Sequence, residues 1–215
     1  MTDFAIVPVK SLSEAKRRIA NHLDPEQRRA LVLAMLDDVL TALGKSRLFS
    51  ETHIISADPS LGGTARKHRV GFIRQKGAGL NAAIRQALRH LALSNVSSVT
   101  TVLADLPLAK PSDFEELMQM SHQSPRIVLA PSLKGGTNVM LRAPPNLIKT
   151  SYGRWSYAKH LRAGQGKGVP VYSISNPRLS FDVDTIEDVK ALVELDPLRR
   201  THASRVAKKL SSSHN

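Results

Sequence analysis

Short apolar runs alternate along this chain with longer stretches in which apolar residues recur every three or four positions. Phe4 to Val9 is apolar almost throughout and reads as a buried first strand. A polar, basic segment follows, Lys10 to Asn21. Asp24-Pro25-Glu26-Gln27 then marks a helix start, with Asp24 to cap, Pro25 at the first helical position and Gln27 to reach back to the cap. That helix is predicted to run to about Leu43, with Leu31, Met35, Val39 and Ala42 on one face. His53 to Ala57 and Val70 to Ile73 are short strands, and Gly77-Ala78-Gly79 turns into a helix from Leu80 to Leu93. Val99 to Leu103 is the clearest inner strand and ends at Asp105-Leu106-Pro107. Ser112 with Glu115 forms a capping-box pattern for a helix reaching about Ser121. Ile127 to Ala130, Val139 to Arg142 and Val169 to Ile174 are further strands, with a short helix from Ser156 to Ala163 between the last two. Phe181 to Asp184 is extended, and Thr185 with Asp188 caps a helix to about Leu195.

Strand and helix in alternation predict an α/β fold with a mainly parallel sheet flanked by helices. No internal repeat or interior linker divides the chain, so residues 1–197 are read as one domain and residues 198–215 as a basic tail, disordered at its Ser211 to Asn215 end.

Composition narrows the partners. With 215 residues, 41% of them hydrophobic, the chain can bury one substantial core. Cysteine is absent, which excludes disulfides and thiolate metal sites and agrees with a cytoplasmic setting. Met1-Thr2-Asp3-Phe4 is not the start of a signal peptide, and the longest apolar run, Ala30 to Leu36, is far too short to span a bilayer, so no membrane association is expected. The net charge of +13 calls for an anionic partner, and Arg199, Arg200, Arg205, Lys208 and Lys209 in the tail supply five of those charges. Aromatic residues make up only 4%, too few for a single-strand binder that stacks bases, so small anionic ligands are preferred over nucleic acid.

The candidate chemistry is acidic, basic and glycine-rich in turn. Asp105 follows an apolar strand, where ligands gather in open α/β sheets. A carboxylate there can hold a hard cation against a phosphate, or it can simply cap the Leu-Pro turn. Asp182 and Asp184 point to one side if their segment is extended, which suits a shared cation; otherwise Asp184 belongs to the following helix start. Lys10 and Lys16 after the first strand can neutralise a triphosphate, whereas Arg17 and Arg18 read as solvated. Gly135-Gly136-Thr137-Asn138 and Tyr152-Gly153-Arg154-Trp155-Ser156 can each offer backbone N–H groups and hydroxyls to an anion. Gly77-Ala78-Gly79-Leu80-Asn81 can let a base lie against backbone, with Asn81 either reading its edge or capping the helix. Neither a Walker A loop nor a dinucleotide fingerprint is present, and the histidines lack metal-ligand spacing.

Taken in order, several segments resemble the 2-phospho-L-lactate and phosphoenolpyruvate guanylyltransferase family of coenzyme F-420 biosynthesis. They are Val7-Pro8-Val9-Lys10 with Ala15-Lys16-Arg17-Arg18, Ala34 to Leu40, Ala104-Asp105-Leu106-Pro107-Leu108, Gly136-Thr137-Asn138, Tyr152-Gly153 with Ser156 and His160, and Asp182-Val183-Asp184-Thr185 before Glu187-Asp188. The resemblance implies a single-domain nucleotidyltransferase fold of the glycosyltransferase-A type. It implies GMP transfer from GTP to a small phosphorylated acid, with pyrophosphate leaving and Mg2+ as cofactor. It implies Asp105, Asp182 and Asp184 as metal ligands and Thr137, Gly153 and Ser156 as acceptor-binding residues. Pro8, Lys10, Lys16, Gly79, Asn81 and Asp105 fall to the nucleotide, with Lys10 and Lys16 taking the charge of the leaving phosphates.

Two departures lie around the acceptor loops. Arg154 and Trp155 follow Gly153 where the family commonly has a proline, and Ser132-Leu133-Lys134-Gly135 lacks an acidic residue near its start. Related nucleotidyltransferases acting on sugar phosphates or molybdopterin open with a glycine-rich loop, but Pro8-Val9-Lys10-Ser11-Leu12 has no glycine. A basic nucleic-acid-binding protein is the alternative from another class. The sequence leaves the state open between monomer and homodimer.

Overall fold

The computed structural model describes residues 2–14, 16–91, 95–120 and 122–212. In chain order the elements are β1 (Asp3–Pro8), a 3-10 turn (Arg17–Ile19), α1 (Pro25–Ser46), β2 (Glu51–Ser56), α2 (Leu61–His68), β3 (Gly71–Arg74), α3 (Leu80–Leu91) and β4 (Ser98–Val102). They continue with α4 (Pro111–Gln119), β5 (Arg126–Pro131), β6 (Thr137–Ala143), α5 (Ser156–Gln165), β7 (Val171–Ser173), α6 (Pro177–Ser180), α7 (Ile186–Leu195) and α8 (His202–Ser212).

The strands form one sheet in the order β3-β2-β1-β4-β6-β5-β7. All neighbours are parallel except β6, which runs antiparallel to β4 and β5. This is the mixed, mainly parallel sheet the alternation predicts. Because β6 is reversed, its first residues lie at the same edge as the last residues of β4: Val102 pairs with Val139, and the Leu103 N–H donates to the Asn138 carbonyl at 3.0 Å. Loops that end parallel strands and the loop that begins β6 therefore meet, and there the site forms.

Helices cover both faces. One core gathers Ala5, Val7, Val102 and Val139 of the sheet with α1, α4, α7 and α8, and the other gathers Ile6, Ile55, Val99 and Met140 with α3. The predicted apolar face of α1 (Leu31, Met35, Val39, Ala42) is buried, but so are Val32, Leu36, Leu40 and Leu43, because α1 is packed by neighbours on more than one side. A helix apolar over most of its circumference belongs inside.

Local signals set most ends. Gln27 N–H donates to Asp24 at 2.8 Å and Asp24 N–H to the Gln27 side chain at 3.0 Å, so the box that starts α1 forms as read. Thr185 and Asp188 do the same for α7. The Ser112–Glu115 box does not form. Pro111 takes the first helical position, where its missing N–H costs nothing, and Asp113 accepts from the Lys110 N–H at 2.8 Å. The predicted end of α4 at Ser121 and of α3 at Leu93 lie outside the described residues. Helix α6 starts on the pattern seen at α1, Asn176 capping the Arg178 and Leu179 N–H groups with Pro177 at the first helical position, whereas α2 has no side-chain cap. Leu61 and Ala65, both buried, hold α2 together despite Gly62 and Gly63 in its first turn.

The stretch set apart as a tail is part of the domain. Helix α8 buries Ala203, Ala207 and Leu210 in the core beside α1 and α7. Its N-terminus is held by Asp38 of α1, whose carboxylate accepts the His202 and Ala203 N–H groups at 2.7 and 2.8 Å. Residues 213–215, within the end read as disordered, lie outside the described residues. Asp196 organises the turn between α7 and α8, accepting from the Arg200 and Thr201 N–H groups and from the Thr201 and Ser204 hydroxyls. Burial pushes the Asp196 carboxyl up, but these donors outweigh it and bring it down to about 2. A carboxylate lowered on folding stabilises above its unfolded value and loses that contribution as pH falls towards the folded one. Asp196→Asn is therefore expected to cost about 2 kcal/mol at neutral pH, seen as a thermal midpoint lower by about 5 °C. The gap between variant and wild type should close between about pH 4 and pH 2, and a gap constant over that range would place the effect elsewhere.

Candidate active site

A cleft of about 500 Å³ opens at the carboxyl edge of the sheet. Its walls come from Pro8, Val9, Lys10 and Ser11 after β1, from Gly77 to Leu80 before α3, and from Leu103, Ala104 and Asp105 after β4. Val32 and Met35 of α1 give it an apolar floor, and Lys16 and Asp184 reach in from their own loops. Pro8, Lys10, Lys16, Gly79, Asp105 and Asp184 thus line one cleft. Gly77 and Gly79 have φ of 86° and 89°, with open space where a Cβ would be. Only glycine adopts this backbone readily, and it leaves the loop's peptide surface bare to a ligand. A depression of about 540 Å³ between α1 and α8 is basic, with Arg199, Arg205, Lys208 and Lys209, but it contains none of these residues. The chemistry therefore favours the carboxyl-edge cleft.

Lys16 lies at the centre of the charged groups. Its Nζ donates to Asp105 Oδ2 at 2.7 Å and to Asp184 Oδ1 at 2.8 Å, and its side chain is 8% exposed. To get there the residue adopts a left-handed backbone, φ 52°, a cost that non-glycine residues meet mainly at functional sites. Burial favours the neutral amine, but the two carboxylates outweigh it and raise the Lys16 pKa. Burial likewise pushes Asp184 up, and the charge of Lys16 more than compensates, leaving it below its ordinary value. Lys16 is thus a cation between two carboxylates, not a free group facing phosphate, and Lys10 is the exposed lysine of the cleft.

The three aspartates do not converge. Asp182 accepts from the Ser132 hydroxyl and, at 3.4 Å, from the Asn138 amide, while Asp184 turns to Lys16. Their segment is not a strand: the Val183 N–H is bound to the Asp105 carbonyl and the Asp184 N–H to Asp188, so the alternation of a straight strand is lost. No three acidic or histidine side chains among the described residues form a ready-made metal cage. Asp105 Oδ1 is buried and has no hydrogen-bond partner among the described residues, however. An unsatisfied carboxylate oxygen beside a bound ammonium suits a hard divalent cation, so Asp105 and Asp184 are the pair that can hold one, with Asp182 close before Asp184 in the chain.

Beyond β6 lies a second group. The Thr137 N–H donates to Ser156 Oγ at 2.9 Å, and Thr137 Oγ1 is 3.0 Å from His160 Nδ1. Ser156 is the first residue of α5, so Thr137 is tied to that helix at two points. The Ser151 N–H donates to His160 Nε2 at 2.9 Å. Burial lowers His160 to about 4, with the charges of Arg142 and Lys159 adding to the shift, so the ring is neutral at neutral pH. With Nε2 accepting, its proton sits on Nδ1 and points to Thr137. Gly153, φ 120°, is exposed next to this cluster. Trp155 lies across Gly135, where an added Cβ would come within 2.8 Å of the ring.

Asn81 is placed differently from the base-reading expectation. Its amide oxygen accepts the Tyr152 N–H at 2.8 Å and its amide nitrogen donates to the Tyr152 carbonyl at 3.0 Å. Both ends of the side chain thus hold the 150s loop against α3. Sequence reasoning assigned no role to His160, Ser132 or Arg142. His160 appears only within the Tyr152 to His160 motif, and Arg142 reads as an ordinary strand residue.

The chain is thus an α/β fold with a cleft and a carboxylate–ammonium cluster at the carboxyl edge of a mainly parallel sheet that carries one reversed strand. Solved structures share that fold. A Desulfovibrio desulfuricans protein assigned as a nucleotide-diphospho-sugar transferase superposes with a TM-score of 0.77 at 17% identity, covering 99% of this chain and 96% of its own. A cytidylyltransferase from Leptospira borgpetersenii superposes with a TM-score of 0.63 at 12% identity, covering 99% and 95%. The model of the family described as "Guanylyl transferase CofC like" matches residues 3–210, and the chain belongs to that family. The match reaches into α8, in keeping with its place in the domain. Among relatives, a phosphoenolpyruvate guanylyltransferase from Rubrobacter xylanophilus is 36% identical over 193 residues, 89% of this chain and 94% of the relative. A 2-phospho-L-lactate guanylyltransferase from Methanocaldococcus vulcanius is 32% identical over 185 residues, 86% and 81%. No helix among the described residues is long and apolar enough to cross a membrane.

Proposed function

We propose that this chain transfers GMP from GTP to a small phosphorylated acid, 2-phospho-L-lactate or phosphoenolpyruvate, in coenzyme F-420 biosynthesis. The observation that carries the reading is the Lys16–Asp105–Asp184 cluster at the cleft, with Thr137 and Ser156 on the adjoining edge of the sheet. The names of the relatives supply guanine and the acceptor class. The reading implies a cytoplasmic enzyme.

In this mechanism a phosphate oxygen of the acceptor attacks the α-phosphorus of GTP. The new P–O bond forms as the bond to the β-phosphate breaks, and pyrophosphate leaves. The nucleophile is ionised near neutral pH, so no strong general base is needed, and positioning with charge neutralisation supplies the catalysis. Asp105 and Asp184 would hold Mg2+, which would neutralise charge at the reacting phosphate. Lys10, exposed at the cleft, faces the β- and γ-phosphates, and the bare loop at Gly77 to Gly79 receives the nucleoside. Thr137, Gly153 and Ser156 hold the acceptor. The sugar-phosphate and molybdopterin alternatives gain no support, since the loop after β1 has no glycine.

A donor–acceptor matrix tests this directly. Pyrophosphate release should be highest for GTP with phospholactate or phosphoenolpyruvate, and release that needs neither acid would sink the assignment. Ser156→Ala removes the hydroxyl that in this reading donates to the acceptor, together with the oxygen that fixes the Thr137 N–H. It is expected to raise the acceptor KM about 10- to 100-fold, the equivalent of one or two hydrogen bonds to a charged group, with GTP binding nearly unchanged. An equal loss of GTP affinity would place Ser156 at the nucleotide instead.

A further inference from the structure

Arg142 is the largest fully buried side chain in the protein and is 0% exposed. It lies on β6, opposite Val99 of β4 and Ile127 of β5, within the core that α3 covers. A guanidinium there should be surrounded by acceptors. Instead its Nε and Nη2 have no hydrogen-bond partner among the described residues, and Nη1 has one long bond, 3.4 Å, to the Ile148 carbonyl. No carboxylate among the described residues forms an ion pair with it. A buried charge without a partner is strongly unfavourable, and an apolar side chain of similar volume would normally be the more stable choice.

The neighbours of Arg142 indicate its use. The side chains within reach of its field are Tyr152 and His160, both uncharged at neutral pH. The Tyr152 hydroxyl is buried, with Thr101 as its polar neighbour, and its ring stands edge-on to His160 at 5.0 Å between centroids. His160 in turn holds Thr137, and Tyr152 precedes Gly153. Arg142 therefore stands behind the residues that the functional reading places at the acceptor, with only uncharged side chains recorded between. Burial brings its pKa down to about 10, so it stays charged at neutral pH.

We propose that Arg142 is the internal counter-charge of the acceptor site: a positioning residue left without a carboxylate so that its field acts, through Tyr152 and His160, on the anionic acceptor. The inference rests on the acceptor reading of Thr137, Gly153 and Ser156. In a low-dielectric interior a unit charge keeps its influence over several ångströms beyond direct contact. The partner that completes Arg142 is then the acid substrate itself, and the protein is least stable when that substrate is absent.

Arg142→Met, which keeps the volume and removes the charge, tests this beside Arg142→Lys. Three quantities are measured on the full chain: the thermal midpoint without ligand, the KM values for GTP and for the acid from pyrophosphate release, and the His160 titration by NMR. The methionine variant should melt at or above the wild-type temperature, since an unpartnered charge is gone. Its KM for the acid should rise about 10-fold, with the KM for GTP changed less than about 2-fold. His160 should titrate at higher pH in the methionine variant. Buried without a carboxylate, a lysine gives up its proton far more readily than arginine, so the lysine variant should bind the acid as poorly as methionine at high pH and recover it as the pH is lowered. An unchanged acid KM in Arg142→Met overturns the proposal. So does a lysine variant that folds yet loses the acid as severely as methionine does at every pH, and this comparison serves where methionine does not fold. Wild-type pyrophosphate release is scored first: its absence with every acid overturns the functional reading, whereas active wild type with an indifferent Arg142→Met overturns this inference alone.

Discussion

Asp105→Asn is expected to lower pyrophosphate release about 10³-fold, the equivalent of about 4 kcal/mol of transition-state stabilisation, while the protein stays folded. The fold is spared because the contact that ties this turn to its neighbour is made by the Asp105 backbone carbonyl to the Val183 N–H, not by the carboxylate. Lys16 also keeps Asp184 as a partner. What disappears is one of two charges around the proposed cation, carried by the carboxylate whose buried oxygen has no partner among the described residues. The measurement is steady-state pyrophosphate release at saturating GTP and acid, with a thermal melt as the control for folding. Turnover within about 10-fold of wild type in a well-folded variant would remove Asp105 from the reaction.

Truncation after Pro197 is expected to abolish cooperative folding at 37 °C. Read from sequence, the stretch from Leu198 is a bystander, because no candidate site residue lies in it, and its loss should alter turnover only a few-fold. The structure reverses that expectation. Ala203, Ala207 and Leu210 leave the core, the outer face of α1 is laid bare, and Asp196 loses all four of the donors described above. Several buried side chains and a helix cap lost together come to about 5 kcal/mol or more, comparable with the whole stability of a typical domain. Circular dichroism on heating gives the answer, and a truncated protein melting within a few degrees of wild type would restore the tail to the periphery.

What could be read in the sequence was local or repeated. The boxes at Asp24 and Thr185 involve residues three apart, so their partners are visible without a fold. The carboxyl-edge placement of Asp105 followed from an apolar strand ending in a turn. Long-range contacts were invisible. Asn81 and Tyr152 are 71 positions apart, so nothing near Asn81 announces that its amide is occupied. Asp182 and Asp184 look like a pair until one knows that the Asp184 N–H is bound to Asp188 and the backbone bends. Lys16 looks like a phosphate ligand because its two carboxylates come from far along the chain. Arg142 is the extreme case: a lone charge in a short strand normally points to water, and only the packed sheet shows that it does not.

The reversal of β6 has an evolutionary reading. In the proposed function the donor's loops follow β1, β3 and β4, whereas the acid's residues come from the start of β6 and the first turn of α5. Apart from Asp184, which returns to the donor's cleft from after α6, the two sets come from separate stretches of the chain. Changes between Ser132 and Ser156, where Arg154 and Trp155 already depart from the family pattern, can explore new acids without redrawing the nucleotide half. The Asn81–Tyr152 joint is the seam across which such variation would be felt. A lineage in which the acid changes while the nucleotide stays should accumulate its substitutions on the later side of that seam.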